Sequence, residues 1–500
     1  MGVPLHAHEL PKAGSTALSD SSSQKATLSF RDPAGSVVRY GDRVLRIVNA
    51  LGAADLRAFL DSGTGKKLMA GGGVVGTRAM DAAESRTVLD ELGIAEEYAQ
   101  RGGEFVLEHD RVEFPSYPYE WAPEMLHAAA GLTLDLAEAL PDDALGLKDA
   151  TPYNVLFRGP DPVFIDVLSF ERRDPHDPTW LPYAQFVRTF LLPLLANRAY
   201  GLGLDQILTT RRDGLEPEEV YRWTGALERF KSPYFGLVSM PTWLGAKRKN
   251  DSRIYKKNLV EDTEKARFIL GTVLKGLRRT LRKLEPAAGA HSVWSDYMTG
   301  NNNYSTDQFD AKQQFVKEAL EQNRPAAVLD VGCNTGHFSA MAARAGARVV
   351  SLDYDPVVVG QVWRAARKEK LNILPLVVNL TRPSPGIGWR NQECAPFLDR
   401  ARGRFDLVLM LAVIHHMLVT ERVPLADILE VAADLTRDLL VIEFIEPRDS
   451  MFQRLVRGRE ELHKDLTPAV FEAAFRRHFD QVRVQHVEGS TRWLYLLRKR

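Results

Sequence analysis

The chain carries only two cysteines in 500 residues, Cys333 and Cys394, which excludes a disulfide scaffold and a cysteine-rich zinc site. It has no net charge, with 65 basic residues against 65 acidic ones, so no global field favours a nucleic-acid coat or an acidic tail. No apolar run approaches the roughly 18 residues of a membrane span, and the N-terminus lacks a basic-then-apolar leader. These absences predict a soluble, cytoplasmic protein with no metal centre and no membrane or nucleic-acid partner. Its length suggests several domains at about 150 residues each.

What the chain does have is concentrated in residues 326–356, AAVLDVGCNTGHFSAMAARAGARVVSLDYDP. The apolar run AAVLDV predicts a buried parallel strand that breaks into a turn at Gly332, Asn334 and Gly336. A helical pattern then runs through Phe338, Met341, Ala342 and Ala345 to Gly346, and a second strand ends on Asp353. Glycines in such a turn let backbone N–H groups approach a ligand at a helix N-terminus. A carboxylate about 20 residues further on is placed to accept hydrogen bonds from a ribose diol. A dinucleotide site would want G-x-G-x-x-G for its pyrophosphate. Here Asp330 stands directly before the turn, where its charge would repel a pyrophosphate and attract an ammonium.

This segment resembles the first motif of class I S-adenosylmethionine-dependent methyltransferases. The resemblance implies a Rossmann-like α/β domain whose glycine turn holds the methionine part of the cofactor, with Asp353 on the ribose. Third, fourth and fifth strands are predicted at 373–379, 405–411 and 439–445, and a closing antiparallel pair at 481–487 and 493–497, seven strands in all. Asn379 ends the third strand where the family places an adenine-side contact, and Leu411 ends the fourth on the cofactor side. The loops after strands four and five should face the transferred methyl group. They carry His415 and His416, then Glu443 and Glu446. His416 is the first candidate for a general base, with His415 and Glu443 behind it. Tyr297 and Tyr304, among the aromatics of 294–317, are candidates for a lid over the sulfonium. Phe309 and Phe315 read as packing of the first helix on the sheet.

In the N-terminal half, residues 35–48 alternate like a β-hairpin around Gly41-Asp42, 104–114 has strand character, and 123–140 has helical spacing. Asp149 and Asn154 follow, five positions apart, then a hairpin that delivers Asp166. A kinase-type site needs a carboxylate for the hydroxyl proton, an amide oxygen and a second carboxylate for metal. The segment resembles the catalytic loop and metal-binding aspartate of aminoglycoside-phosphotransferase-like kinases, which implies ATP and Mg as ligands. Two departures predict little ATP turnover: Leu147 replaces the usual histidine, and Arg46 stands where a phosphate-pairing lysine belongs.

Residues 247–283 are rich in Lys and Arg. The stripe Ile269, Val273, Leu277, Leu281 and Leu284 predicts an amphipathic helix with its basic residues on the wet face. The expected organisation is a disordered tail over 1–25, a kinase-like, catalytically degenerate or substrate-binding domain over 26–236, a basic helical bridge and linker over 237–292, and the methyltransferase over 293–500. This arrangement is similar to that of bacterial proteins grouped with a rhizobial host-specificity nodulation protein. The expected acceptor is a small molecule or glycan. A bifunctional kinase-methyltransferase and a non-catalytic cofactor-binding scaffold are the competing readings, and the sequence leaves the oligomeric state open.

Overall fold

The computed structural model describes residues 32–248, 259–289, 292 and 305–500. The expected tail over 1–25 and the lid candidates Tyr297 and Tyr304 lie outside the described residues.

The N-terminal half opens with a four-stranded antiparallel sheet in the order β1-β2-β4-β3. Its strands are β1 (Gly35–Tyr40), β2 (Arg43–Asn49), β3 (Thr77–Ala79) and β4 (Gly103–His109). The period-two alternation of β1 and β2 sorts their side chains. Val38, Leu45 and Ile47, with Val106 of β4, form an apolar cluster with Val88 and Leu89 of the helix Ala82–Glu91. The intervening residues Val37, Arg39, Val44 and Arg46 belong to the other face. Two short pairs follow, β5 (Leu145–Leu147) with β8 (Phe170–Arg172), and β6 (Val155–Arg158) with β7 (Asp161–Phe164). The helix Pro123–Ala139 lies between them and the rest of the protein.

The basic segment forms the helix Thr263–Lys283, capped by Asp262. Its buried stripe is Ala266, Leu270, Leu274, Leu277 and Leu281, with Leu284 just beyond. The expected stripe was therefore rotated at its N-terminal end, where Ile269 and Val273 only flank the buried line. Both assignments satisfy three-and-four spacing, and contact with the helix Pro123–Ala139 selects the observed one. Arg278 binds Asp135 and Glu138 of that helix, so part of the basic charge is matched by acidic neighbours.

The C-terminal half is a seven-stranded sheet in the order β11-β10-β9-β12-β13-β15-β14. Its strands are β9 (Ala327–Val331), β10 (Arg348–Asp353), β11 (Ile373–Val377), β12 (Phe405–Met410), β13 (Thr436–Ile445), β14 (Phe479–His486) and β15 (Arg492–Lys499). The first five run parallel, and β15 inserts antiparallel between β13 and β14. All seven expected strands are present. Because β10 and β11 extend to one side of β9 and β12 to the other, the chain reverses direction between β9 and β12. The C-terminal strand ends open a crevice there.

The two halves share one apolar core. Phe114 lies against Phe397 and Phe405, Trp363 donates its indole N–H to the Pro160 carbonyl at 2.9 Å, and Arg400 forms a buried ion pair with Glu120.

Candidate functional site

The crevice at the C-terminal strand ends is a cavity of about 310 Å³. Its floor is the turn after β9. Gly332 has φ +71°, in the left-handed region, and a Cβ there would come within 3.1 Å of Val413; side-chain-free backbone therefore forms this wall. Gly336 has φ +81°, but it stands behind the cavity, where a Cβ would meet Val362 at 2.8 Å. Its requirement is helix packing, a correction to the expected cofactor contact. The Asn334 backbone N–H donates to Asp353 Oδ2 at 3.0 Å and that of Asp355 to Oδ1 at 3.1 Å. The tip of β10 and the glycine turn are thereby held as one unit.

Asp330, Gly332, Asn334, Asp353, Asn379, Leu411 and His416 all line this cavity. Burial raises the Asp353 and Asp330 carboxyls to about 6, partly offset by backbone N–H bonds at Asp353 and by the Ser339 hydroxyl at Asp330. Asn379 Oδ1 accepts from the Thr381 N–H and hydroxyl, which pins the loop after β11. Two acidic residues on one wall fit a cofactor that carries an ammonium and a ribose diol, and they disfavour a pyrophosphate.

Opposite the glycine turn, the short helix Ile414–Val419 places His416 on the wall, and burial lowers its imidazole pKa below the usual value. His415 is 4% exposed and does not line the cavity, with its ring 4.2 Å from that of His416 and Nδ1 without a hydrogen-bond partner among the described residues. The expected Glu443 is also withdrawn. It is completely buried, with Oε2 2.7 Å from Lys312 Nζ and Oε1 3.0 Å from Arg492. A carboxylate satisfied by two cations behind the wall is a structural counter-ion, so Glu443 and His415 leave the set of proton acceptors. Glu446 accepts the Trp493 indole N–H and pairs with Arg448, off the cavity.

Four further wall residues, Phe309, Lys312, Arg382 and Glu421, were not among the expected site residues. Phe309 faces the cavity beside His337 and Phe338 instead of joining the core, whereas Phe315 is buried as expected. Arg382 and Glu421 form an ion pair at 3.0 Å on the wall beyond Asn379. Lys312 is 4% exposed, lies over the Phe338 ring and contributes to the lining. Its signal was present in the sequence: Lys312, Phe315, Val316, Ala319 and Leu320 share one face of the helix Thr306–Asn323, so a lysine occupies an apolar position.

The kinase-like set converges only in part. Arg46 Nη1 donates to Asp166 Oδ1 at 2.8 Å, the Ser169 hydroxyl donates to Asp166 Oδ2 at 2.6 Å, and Asn154 Nδ2 donates to Ser169 Oγ at 3.2 Å. Arg46 Nε also donates to His109 Nε2 at 3.3 Å, and the other nitrogen of that ring meets the Thr77 hydroxyl. Burial and the neighbouring guanidinium hold the His109 pKa down at about 3, so the ring is neutral. Asp149 stands apart, exposed and bonded to Gln185.

The family of methyltransferase domains matches residues 304–489. Nodulation protein NoeA of Rhizobium meliloti (strain 1021) is 30% identical over 481 residues, spanning 93% of this chain and 94% of its own length. Among solved structures, the N-methyltransferase NodS from Bradyrhizobium japonicum WM9 aligns with 40% of this chain and 98% of its own at 14% identity and a TM-score of 0.30. The bifunctional kinase-methyltransferase WbdD aligns with 42% of each chain at 17% identity and a TM-score of 0.29. A methyltransferase domain over the glycine-turn sheet, within a match that runs nearly end to end, makes this chain an S-adenosylmethionine-dependent methyltransferase that belongs to the NoeA family.

Proposed function

We propose that the protein methylates an oxygen atom of a small molecule or glycan, with His416 accepting the proton. The carrying observation is that His416 lines the same cavity as the glycine turn and Asp353, on the wall after β12. Bound S-adenosylmethionine supplies a methyl group on a positively charged sulfur. The residues that would hold it are the backbone at Gly332 and Asn334, with Asp353 on the ribose hydroxyls and Asp330 toward the ammonium. Leu411 and Asn379 complete the cofactor wall.

A hydroxyl is a poor nucleophile until its proton has somewhere to go. Burial keeps His416 neutral at physiological pH, which is the form that accepts a proton. Phe309 and Phe338 offer ring faces, and the Arg382–Glu421 pair offers both a donor and an acceptor; together they suit the apolar and hydroxylated faces of a saccharide. Transfer of labelled methyl from S-adenosylmethionine to a panel of saccharides, phenols and amines, with wild type and His416→Ala, tests the reading. Product on nitrogen acceptors alone would refute it.

For the N-terminal half we favour binding or regulation over phosphotransfer. Arg46 and Asp166 neutralise each other, and Asp149 is not joined to the hydrogen-bonded set of Asn154 and Asp166. An ATPase activity that disappears in Asp166→Ala would instead support the bifunctional reading.

A further inference from the structure

Between the N-terminal half and the basic helix, the chain exposes apolar side chains on a surface that polar ones would ordinarily cover. The helix Pro217–Trp223, the turn Glu228–Phe230 and a helical run made of Phe235–Ser239 and Met240–Arg248 pack on one another. The run buries Leu237 and Val238 on its inner side. Its outer side is apolar as well. Met240, Trp243 and Leu244 share a face at three-and-four spacing, and all three are exposed. A helix that is apolar all round is ordinarily buried all round, and this one is not.

The exposed residues form one surface. The Trp243 ring lies 6.0 Å from that of Phe230 and 6.1 Å from that of Phe235. Leu227 adjoins Phe230 in a tight turn, closed by the Phe230 N–H donating to the Leu227 carbonyl at 3.3 Å. Leu227 is 80% exposed and Phe230 68%. Exposed apolar residues scattered singly need no explanation, but a contiguous set marks a contact surface. Trp243 also donates its indole N–H to the Tyr221 hydroxyl at 3.1 Å, so its polar edge is satisfied while its ring stays in the patch.

Charge decides what such a surface can meet. Within one helical turn of Leu244 the sequence continues into KRKNDSRIYKK, residues 247–257, with six basic residues against one acidic, Asp251. Arg222 is exposed on the helix Pro217–Trp223. The acids of the same region are largely committed: Glu216 pairs with Arg188, Glu219 with Arg211 and Glu228 with Lys231, which leaves Glu218 exposed. Aromatic and aliphatic side chains beside a basic run fit an anionic lipid surface, where Trp, Phe and Leu enter the headgroup boundary and Lys and Arg meet the charged headgroups. A second copy of the chain fits less well, because two-fold pairing of this face would bring two basic runs to one interface. No helix among the described residues is long and apolar enough to cross a membrane. The expectation of no membrane partner rested on the lack of a span, and a span is not needed for contact at the surface.

We propose that this face docks the protein on an anionic membrane surface, with Leu227, Phe230 and Trp243 entering the headgroup region. The inference stands apart from the choice of methyl acceptor. Flotation of the full-length protein with vesicles of phosphatidylcholine, and with vesicles that also contain phosphatidylglycerol, tests it. The protein should float with the anionic vesicles and bind the neutral ones at least about tenfold more weakly, and rising salt should weaken the anionic binding. Leu227→Ser/Phe230→Ser should weaken it at least about tenfold, because two apolar side chains no longer enter lipid. Leu462→Ser, at a leucine of the methyltransferase half that is 73% exposed, should leave it unchanged. Lys247→Gln/Arg248→Gln/Lys249→Gln should reduce the preference for anionic vesicles. S-adenosylmethionine affinity, titrated in parallel, reports that each variant is folded; the single variant Leu227→Ser serves if the double one is not. Absence of flotation with anionic vesicles, or equal flotation by the Leu227→Ser/Phe230→Ser variant, overturns the proposal. Equal binding to both vesicles overturns the anionic assignment. A dimer seen by ultracentrifugation and dissolved by the same double variant also overturns the proposal, and would make this face an interface between copies.

Discussion

Lys312 Nζ and Glu443 Oε2 lie 2.7 Å apart, with side-chain exposures of 5% and 0%. The pair ties the first helix of the methyltransferase domain to the middle of its sheet, and Arg492 and Asp449 extend it. Burial lowers the Lys312 pKa, while the Glu443 charge acts to keep the proton on. Lys312→Met removes one of two cations from a buried carboxylate. Breaking such a pair costs about 3–5 kcal/mol when the remaining charge is left alone. Since Arg492 still faces Glu443, the loss should fall at or below the lower end, measured by denaturant unfolding. A change within experimental error would show that the pair is not a structural tie.

Asp353→Ala should weaken S-adenosylmethionine binding at least about tenfold, because hydrogen bonds to a charged group contribute about 1.5–3 kcal/mol each. The pH dependence gives a second readout. The Asp353 carboxyl titrates at about 6, and only the ionised form can accept from both ribose hydroxyls. Cofactor affinity in the wild type should therefore decline as pH falls below about 6, and the variant should keep only the weaker dependence that comes from Asp330, whose carboxyl is raised to the same range. Calorimetry between pH 5 and 8 measures both.

His416→Ala should separate chemistry from binding. General-base assistance is worth about 10²–10⁴-fold, so turnover should fall in that range while cofactor affinity stays the same. The imidazole pKa lies below its usual 6.5 because the ring is buried. As pH falls through that lowered pKa the base is protonated, so at saturating S-adenosylmethionine kcat/KM for the acceptor should carry an acid limb below pH 6.5, and His416→Ala should remove it. Full turnover per folded molecule in the variant would move the proton acceptor elsewhere.

The strands and the glycine turn were legible because they rest on local patterns: period-two or continuous apolar runs, a turn with backbone that needs glycine, and an acid at a fixed offset. Asp330, Gly332, Asn334, Asp353, Asn379, Leu411 and His416 are brought to one cavity because each sits at the end of a strand in a sheet whose order those patterns imply. Glu443 was misplaced although its strand was not. It was grouped with the loop after the fifth strand although it lies within that strand, expected at 439–445 and observed as Thr436–Ile445, where its side chain is buried against Lys312 and Arg492. The Arg46–Asp166 pair spans 120 positions, and no spacing rule links such residues.

The same limit hid the joint between the halves, which gives the last prediction. Arg400 is buried in contact with Glu120 and also donates to the carbonyls of Pro115 and Ala395. Around it, Phe114 packs on Phe397 and Phe405, and Arg364 binds Glu124 at 3.1 Å. Such an interface has the buried apolar and ionic character of a domain core, unlike the more polar contacts between independently moving domains. The protein should therefore unfold in one cooperative transition, with cofactor binding and N-terminal structure lost together. Glu120→Ala leaves the Arg400 charge without its carboxylate in a dry site, at a cost of about 3–5 kcal/mol, and should lower that single transition without splitting it. A fragment of residues 293–500 would expose Phe397 and the Arg400 guanidinium and should be less stable than the whole protein. Two resolved transitions in the wild type by calorimetry, or a fragment as stable as the full chain, would show instead that the halves fold independently.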